Sequence, residues 1–248
     1  MSRYFIEVRY KGTAYAGFQV QQNAVTIQEE VEKALAIFFR KEVGLTGSSR
    51  TDTGVHAFQN YFHFDMEEEV DDKWVYNLNS LLPEDIAVTG IRKVADSAHC
   101  RFDALWRQYG YMIYGRKDPF IRDRAYYFPY SLDLAAMREA ADEVKEYTEF
   151  GSFAKRNSQV KTFSCRIMMS EWHEEEGRII YRVRSNRFLR GMVRGLVGTM
   201  LQVGRKKISL EAFREIIESG DSLQVDFSVP GCGLCLERVE FGEGYFGL

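Results

Sequence analysis

Strand-like and helix-like patterns alternate through the first half of this chain in the order β, α, β, β, α, β. Apolar and polar residues alternate over 3–10, which is typical of a half-buried strand. A helix is predicted after Thr26, because Thr26 and Glu29 form a capping box and apolar residues follow at helical spacing. Further strand patterns lie near 57–65 and 86–94, with a helix pattern near 71–81.

The second half shows a related order of elements. Strands are predicted at 107–115, 162–173, 178–186 and 233–241, and helices at 133–147, 189–203 and 209–219. The repetition predicts an α+β fold of two pseudo-repeated halves, 1–105 and 106–248. The chain has only four prolines and no low-complexity linker. We therefore expect the two halves to share a packed interface.

Charge is segregated along the chain. The net charge of −3 would by itself argue against a nucleic-acid ligand. However, residues 182–207 carry eight basic residues and no acid, and residues 101–125 mix six basic residues with aromatic ones. Residues 65–72 hold six acids. Each stretch taken alone is typical of an ordinary solvated face, but together the basic stretches favour a localised basic cleft that binds nucleic acid.

Several classes of protein are disfavoured by the sequence. It has no run of 18 apolar residues, and its N-terminus lacks the apolar block of a signal peptide. Four cysteines, at 100, 165, 232 and 235, show no paired framework. This pattern predicts a cytoplasmic protein without disulfides or a membrane span.

The segment "GSSRTDTGVHAFQN" contains the most informative carboxylate, Asp52. An Asp in a Gly-, Ser- and Thr-rich loop most often bonds its own backbone in a turn. Two features favour a functional role. Arg50 lies close enough in sequence to hold the carboxylate ionised, and Gly47 and Gly54 allow another chain to approach.

Possible metal ligands are sparse in the sequence. His56 and His63, even with Asp52, have loose spacings and no further ligand cluster around them. Cys232 and Cys235 have a zinc-like spacing but no partner pair, and they lie in an apolar strand pattern. We therefore predict no metal site.

The chain resembles the TruA family of tRNA pseudouridine synthases. Blocks that match the family's patterns, in the family's order, are "YKGTAYAGFQVQ", "GSSRTDTGVHA", "LNSLLPEDIAV", "HCRFDALWRQYGYMIY", "RFLRGMVRGLVGTMLQVG" and "GLCLERVEF". They span nearly the whole chain. One block would be weak support for the resemblance, but six in register are highly specific.

This resemblance implies an activity. The family isomerises uridine to pseudouridine in tRNA, without cofactor or metal, and its TruA members act in the anticodon stem-loop at tRNA positions 38–40. Asp52 matches the family's catalytic aspartate and is expected to be the nucleophile. Whether it attacks C1′ or C6 of the nucleotide stays open.

Two further residues match the family's active site. Tyr109 matches the active-site tyrosine, whose ring can stack on uracil and whose hydroxyl is a candidate for deprotonating C5. Arg194 matches the arginine expected against the Asp52 carboxylate. Arg187 and Arg190 are expected to bind RNA phosphates. Arg50, His56 and Tyr109 complete the predicted substrate-binding set.

The resemblance also implies an architecture. Two RRM-like or ferredoxin-like halves would form one extended, mainly antiparallel sheet with helices on one face and a basic cleft on the other. Known members are homodimers, so we expect a homodimer. Ser49, Lys11 and Phe18 depart from the family pattern, and we expect altered RNA contacts from the latter two rather than lost activity.

Three alternatives stay open. An RNA-binding module without catalysis would use the same topology and aromatic residues. A synthase of the same family could act on another RNA, because shape recognition is not legible in one sequence. A glycosidase would need a second carboxylate about 5–10 Å away, and none of the matched blocks contains a candidate.

Overall fold

A computed structural model describes residues 1–69, 71, 73–155 and 160–246. Residues 70 and 72, which belong to the predicted acidic stretch 65–72, lie outside the described residues. The chain forms two compact units. Unit 1 contains Met1–Leu105 and Cys235–Leu248, and unit 2 contains Trp106–Leu234. The last segment, which the sequence prediction placed in the second half, groups with unit 1 because its strand pairs with His56 and Ala57.

Both units mix helices with mainly antiparallel sheet, which confirms the predicted α+β class. The strands are β1 (Ser2–Tyr10), β2 (Thr46–Gly47), β3 (His56–Met66), β4 (Ile86–Val94), β5 (Trp106–Tyr114), β6 (Tyr126–Tyr127), β7 (Ile167–Glu175), β8 (Arg178–Ser185) and β9 (Leu234–Glu240). The α-helices are α1 (Ile27–Phe39), α2 (Lys73–Asn79), α3 (Leu134–Glu143), α4 (Met192–Gly204) and α5 (Leu210–Ser219).

In unit 1 the strand order is β4-β1-β3-β9, and β2 pairs antiparallel with Phe62 and His63 of β3. Strand β1 is antiparallel to both β3 and β4, whereas β9 is parallel to β3. The predicted stripe of Tyr4, Ile6 and Val8 is buried as expected. On the opposite face Phe5 is buried as well, because it packs edge-on against Phe241 of the C-terminal segment. Glu7 and Arg9 on that face are partly exposed and exposed, so β1 is half-buried as predicted, apart from Phe5.

Helix α1 begins as the sequence predicts. The side-chain oxygen of Thr26 accepts a hydrogen bond of 3.3 Å from the backbone N–H of Glu29, which satisfies one of the donors that a helix start leaves unpaired. Ile27, Val31 and Leu35 form the buried stripe. The helix ends at Phe39, and the capping residue Arg40 adopts a left-handed conformation with φ of 55°.

In unit 2 the strand order is β5-β8-β7, all antiparallel, and β6 pairs with β5 in parallel. Tyr181 and Trp172 face each other across β8 and β7, and both are buried. The Trp172 Nε1–H lies 3.3 Å from the Met200 sulfur, so α4 packs on this face of the sheet. The residues of α4 at the predicted apolar positions are buried.

None of the helices described here is long and apolar enough to cross a membrane.

Candidate active site

Asp52 lies at the start of a tight turn. The Val55 N–H donates a 3.1 Å hydrogen bond to the Asp52 carbonyl, and Gly54 at the third position has φ of 75°. A positive φ at this position is inexpensive only for glycine, so Gly54 is required by the backbone geometry of the turn. The Asp52 residue itself is partly exposed. The turn thus presents a carboxylate at the surface of unit 1 on a loop with a defined backbone conformation.

The first loop of the chain packs directly on this turn. The Phe18 N–H donates a 3.0 Å hydrogen bond to the Thr51 carbonyl. A Cβ atom added to Gly12 would lie 2.0 Å from the Val55 carbonyl oxygen, so no other residue fits there without moving the backbone. The backbone on both sides of Asp52 is therefore held from outside the turn.

A buried polar network supports the same loop from the sheet. Asn60 on β3 is fully buried, and its Nδ2 donates to the Ser49 carbonyl at 2.8 Å and to the Tyr10 hydroxyl at 3.2 Å. The Tyr10 hydroxyl and the Thr51 hydroxyl are 2.8 Å apart, and either can donate to the other. Because buried polar groups are costly when unpaired, this network favours a single position of the residues preceding Asp52.

His56 joins the two loops. Its Nδ1 accepts a 3.0 Å hydrogen bond from the Gly12 N–H, so in the neutral ring the proton is on Nε2. The side chain is 7% exposed. This contact gives His56 a structural role within unit 1, and the predicted contact with substrate stays a prediction.

The departures from the family pattern have different structural settings. Phe18 is buried and stacks on Phe62, with ring centroids 4.5 Å apart and an angle of 9° between the planes. It is a core residue, so the expectation that it alters RNA contacts is wrong. Lys11 is exposed. Ser49 is buried, and no described atom is a hydrogen-bond partner of its hydroxyl. Arg50, next in the chain, is exposed.

Tyr109 and Tyr111 lie on the same face of β5, and their environments separate their roles. Tyr111 is fully buried, and its hydroxyl donates to the Pro230 carbonyl at 2.8 Å. Burial raises the pKa of Tyr111 well above its ordinary value. Tyr109 is 8% exposed and packs edge-on against Phe188 with centroids 5.1 Å apart. Tyr111 is thus the structural member of the pair, and Tyr109 is left as the candidate for substrate contact.

Arg194 projects from the first turn of α4 and is partly exposed. Its Nε donates to the Val229 carbonyl at 2.8 Å, and one terminal nitrogen donates to the Phe227 carbonyl at 3.2 Å. Two bonds from a planar guanidinium fix its orientation as well as its position. The segment that carries these carbonyls also receives the Tyr111 hydroxyl bond at Pro230.

The predicted helix over 189–203 begins later than expected. Gly191 adopts φ of 75° and caps a helix that starts at Met192. Arg187 and Arg190 therefore lie in the loop before α4 and not in the helix predicted over 189–203 or at its start. Arg190 is exposed and Arg187 is partly exposed.

Sequence reasoning missed the residues that position the Asp52 loop. Gly12, Tyr10 and Asn60 do not belong to the motif that drew attention to Asp52. One signal was available: Asn60 occupies a position in the β3 pattern where an apolar residue is expected, and a polar residue at such a position needs buried partners.

Comparison with known proteins gives a consistent result. A family model described as tRNA pseudouridine synthase matches residues 6–103 and 148–242. The tRNA pseudouridine synthase A of Bacteroides fragilis is 45% identical over 249 residues, which cover 99% of each chain. That of Parabacteroides distasonis is 43% identical over 99% of this chain and 98% of the relative. That of Staphylococcus aureus is 35% identical over 97% of this chain and 91% of the relative.

Proposed function

This chain belongs to the tRNA pseudouridine synthase family, and we propose that it isomerises uridine to pseudouridine in the anticodon stem-loop of tRNA, with Asp52 as the nucleophile. In this reaction the bond between C1′ and N1 breaks and a bond between C1′ and C5 forms. The C5 proton leaves, and N1 gains a proton, so no other reactant is consumed. The resemblance implies positions 38–40 of the tRNA as the targets.

The observation that carries the assignment of Asp52 is the construction of its loop. A carboxylate that attacks a sugar or a base must be held in one place, because misplacement by about 1 Å can reduce a rate by about 100-fold. The turn at Gly54, the Phe18 bond to Thr51 and the Asn60 network all restrain the backbone next to Asp52. The side chain nevertheless stays partly exposed, as a group that meets an external nucleotide must be.

Tyr109 is proposed to stack on the detached uracil. Stacking on an aromatic ring tolerates rotation of the base, whereas a fixed set of hydrogen bonds does not. The Tyr109 hydroxyl is the candidate that removes the C5 proton. Its edge-on contact with Phe188 supports the ring from one side.

The arginines are proposed to act in two ways. Arg194, oriented by two backbone carbonyls, serves as the counter-charge of the Asp52 carboxylate. Arg187, Arg190 and Arg50 bind phosphates of the RNA, since Arg187 and Arg190 lie in the loop before α4 and Arg190 and Arg50 are exposed. His56, which follows the Asp52 turn, is proposed to contact the substrate together with these arginines.

The assembly and the location are part of the same proposal. A homodimer would present two copies of the basic residues to one tRNA, which reconciles the net charge of −3 with an anionic partner. The substrate places the reaction in the cytoplasm. The mass measured by light scattering during gel filtration tests the dimer, and a mass near 28.8 kDa at micromolar concentration contradicts it.

The activity is tested with tRNA transcripts that carry tritium at C5 of uridine. Wild type should release tritium to water, and Asp52→Asn should release none while binding the transcript with unchanged affinity. Asp142→Asn is the matched control, because Asp142 is exposed and pairs only with Lys145 among its described contacts. Binding without release in wild type would show an RNA-binding module and refute the enzyme.

The target positions are tested with a second set of transcripts. Replacement of the uridines at positions 38, 39 and 40 by cytidine, singly and together, should remove release in proportion to the uridines lost. Full release from the triple replacement would assign the enzyme to another site or another RNA. The Asp52 variants would then still establish the chemistry.

A further inference from the structure

We propose that His63, His99 and Cys100 form a binding site for Zn(II) in unit 1, separate from the Asp52 loop. The ligand atoms of these three side chains all lie within 4.8 Å of one another. Imidazole nitrogen and thiolate sulfur are the donors that Zn(II) prefers in proteins. The sequence prediction considered His63 with His56 and missed this set, because β3 and the loop after β4 meet only in the fold.

The pair of His63 and Cys100 already has close to the required geometry. The His63 Nδ1 is 3.2 Å from the Cys100 sulfur. In a tetrahedral zinc site with bonds of about 2.0–2.3 Å, neighbouring ligand atoms are about 3.5 Å apart. The widest separation, 4.8 Å, must therefore shorten by about 1.3 Å. His99 is the ligand that can move, because it is partly exposed and lies on a loop.

His63 is held in the form that binds metals. Its Nδ1 accepts a 3.4 Å bond from the Cys100 N–H, which places the ring proton on Nε2. The His99 Nδ1 likewise accepts from the Arg101 N–H at 3.2 Å. Both rings therefore carry the proton on Nε2, and Zn(II) that binds at Nδ1 would replace the weak hydrogen bond from the backbone N–H.

Cys100 must lose its proton to bind zinc. The thiol is fully buried and donates to the Thr46 carbonyl at 3.2 Å. The guanidinium of Arg3, which donates to the neighbouring Ala98 carbonyl, provides a positive charge near the sulfur. When Zn(II) binds, the sulfur bonds to the metal and the proton passes to solvent, so binding releases one proton.

Contacts beyond the three ligands support the site. The Asp103 carboxylate accepts from the backbone N–H of His99 at 2.8 Å and from the Tyr245 hydroxyl at 2.6 Å, so it holds the main chain that bears the His99 ring. Phe5 stacks against the His63 ring, with centroids 6.1 Å apart. These contacts are of the kind that orient ligands around protein-bound metals. They also join the loop to the C-terminal segment, so a bound metal would stabilise both.

The site lies beneath an exposed pair of side chains. The His99 ring packs on Phe102 with centroids 4.2 Å apart, and the Arg101 guanidinium lies over the same ring at 5.6 Å. Phe102 is 73% exposed. Zinc at His99 would therefore fix the position of a basic and an aromatic side chain on the surface.

The test uses the full chain, purified, treated with chelator and dialysed against Zn(II) or Co(II). We expect one equivalent of metal per chain, and a Co(II) complex that shows the intense near-ultraviolet band of a thiolate bound to cobalt. Cys100→Ser and His99→Ala should each lose the band and lower metal affinity by at least 10-fold. Cys165→Ser is the matched control, since Cys165 is also buried but has no such cluster among the described residues.

Thermal unfolding gives an independent reading that does not depend on activity. Zn(II) should raise the melting temperature of wild type and of Cys165→Ser but not of His99→Ala, whose partly exposed position makes misfolding a minor concern. If wild type binds less than 0.1 equivalent of Zn(II) and shows no cobalt band, the three side chains form only a hydrogen-bonded cluster and the proposal is wrong.

Discussion

The loop that carries Asp52 and the segment that carries the arginines are held in opposite ways. In unit 1 the backbone before Asp52 accepts hydrogen bonds from Phe18 and Asn60, Gly12 packs against the backbone after it, and the side chain is left at the surface. In unit 2 the Arg194 side chain is itself bonded to the carbonyls of Phe227 and Val229. In unit 1 the hydrogen bonds fix the main chain that carries the short Asp52 side chain. In unit 2 they fix the guanidinium at the end of the long Arg194 side chain.

This difference follows from side-chain length. A carboxylate two bonds from the backbone is positioned once the backbone is positioned, whereas an arginine loses about 2 kcal/mol of rotamer entropy when it is held in one conformation. Carbonyl acceptors supply bonds that offset part of this entropy and set the plane of the guanidinium. The comparison predicts that the Asp52 loop is sensitive to backbone changes and Arg194 to changes of its head group.

The largest effect is expected from Gly12→Ala. The new Cβ would lie 2.0 Å from the Val55 carbonyl, so the turn that bears Asp52 must move. We expect a loss of about 3 kcal/mol in the free energy of unfolding from overpacking and a fall in kcat of at least about 100-fold from misplacement. Urea unfolding and tritium release measure the two effects.

Gly44→Ala is the matched control for this substitution. Gly44 lies in the same part of unit 1, and a Cβ there would meet no described atom within 4 Å. We expect unchanged activity and stability within about 0.5 kcal/mol. Equal activity of Gly12→Ala and Gly44→Ala would show that backbone placement of the Asp52 loop does not limit the rate.

The next largest effect is expected from the head group of Arg194. Arg194→Ala should lower kcat by about 100-fold, a typical cost for removing one charge that stabilises a reacting group. Arg194→Lys should recover little of this loss, because an ammonium cannot reproduce two bonds in the plane of a guanidinium. Single-turnover rates with saturating enzyme separate this effect from RNA binding, and recovery by lysine to within 3-fold would exclude the orientation argument.

A smaller effect is expected from Asn60→Leu, which is nearly isosteric. It leaves the Ser49 carbonyl and the Tyr10 hydroxyl without the bonds that Asn60 donates. We expect a loss of about 2 kcal/mol in stability and a fall in kcat of about 10-fold with a smaller change in KM, because Arg50 is the one proposed phosphate-binding arginine on the loop that moves. Tyr10→Phe, which removes only one hydroxyl, should retain more of both, and an unchanged kcat in Asn60→Leu would mean that the network stabilises the fold alone.

The sequence was sufficient for much of the fold because its signals are local. The Thr26 cap, the apolar stripe of α1 and the alternation in β1 all act within a few residues, and each corresponds to an observed element. The burial of Phe5 was not predictable in the same way. It depends on Phe241, which lies more than two hundred positions away and is brought back by the parallel pairing of β9 with β3.

The candidate site also separates into features with local sequence signals and features that depend on long-range contacts. Asp52, Tyr109 and Arg194 could be proposed from the sequence because each lies in a contiguous motif. The contacts that support the Asp52 loop could not be predicted in this way, because the hydrogen bond from Asn60 to Ser49 joins residues that no motif pairs. The start of α4 was also misplaced, because the apolar spacing continues through Leu189 although Gly191 turns the backbone. A periodic pattern records which residues are apolar and not where the backbone leaves the helix.

The smallest effect is expected at Arg190. The comparison of the two segments predicts that this residue contributes to RNA binding and not to the catalytic rate. Its position in the loop before α4 and its exposed side chain are the basis of the proposal that it binds phosphates of the RNA. Arg190→Ala should weaken tRNA binding a few-fold, lower the slope of log affinity against log salt by about 0.7–0.9, and leave the single-turnover rate at saturation unchanged. Lys33→Ala, which removes an exposed cation outside both basic stretches, is the control for loss of charge alone. A fall of 10-fold or more in the saturated rate of Arg190→Ala would place Arg190 at the reacting nucleotide. The division between a fixed catalytic arginine and exposed binding arginines would then fail.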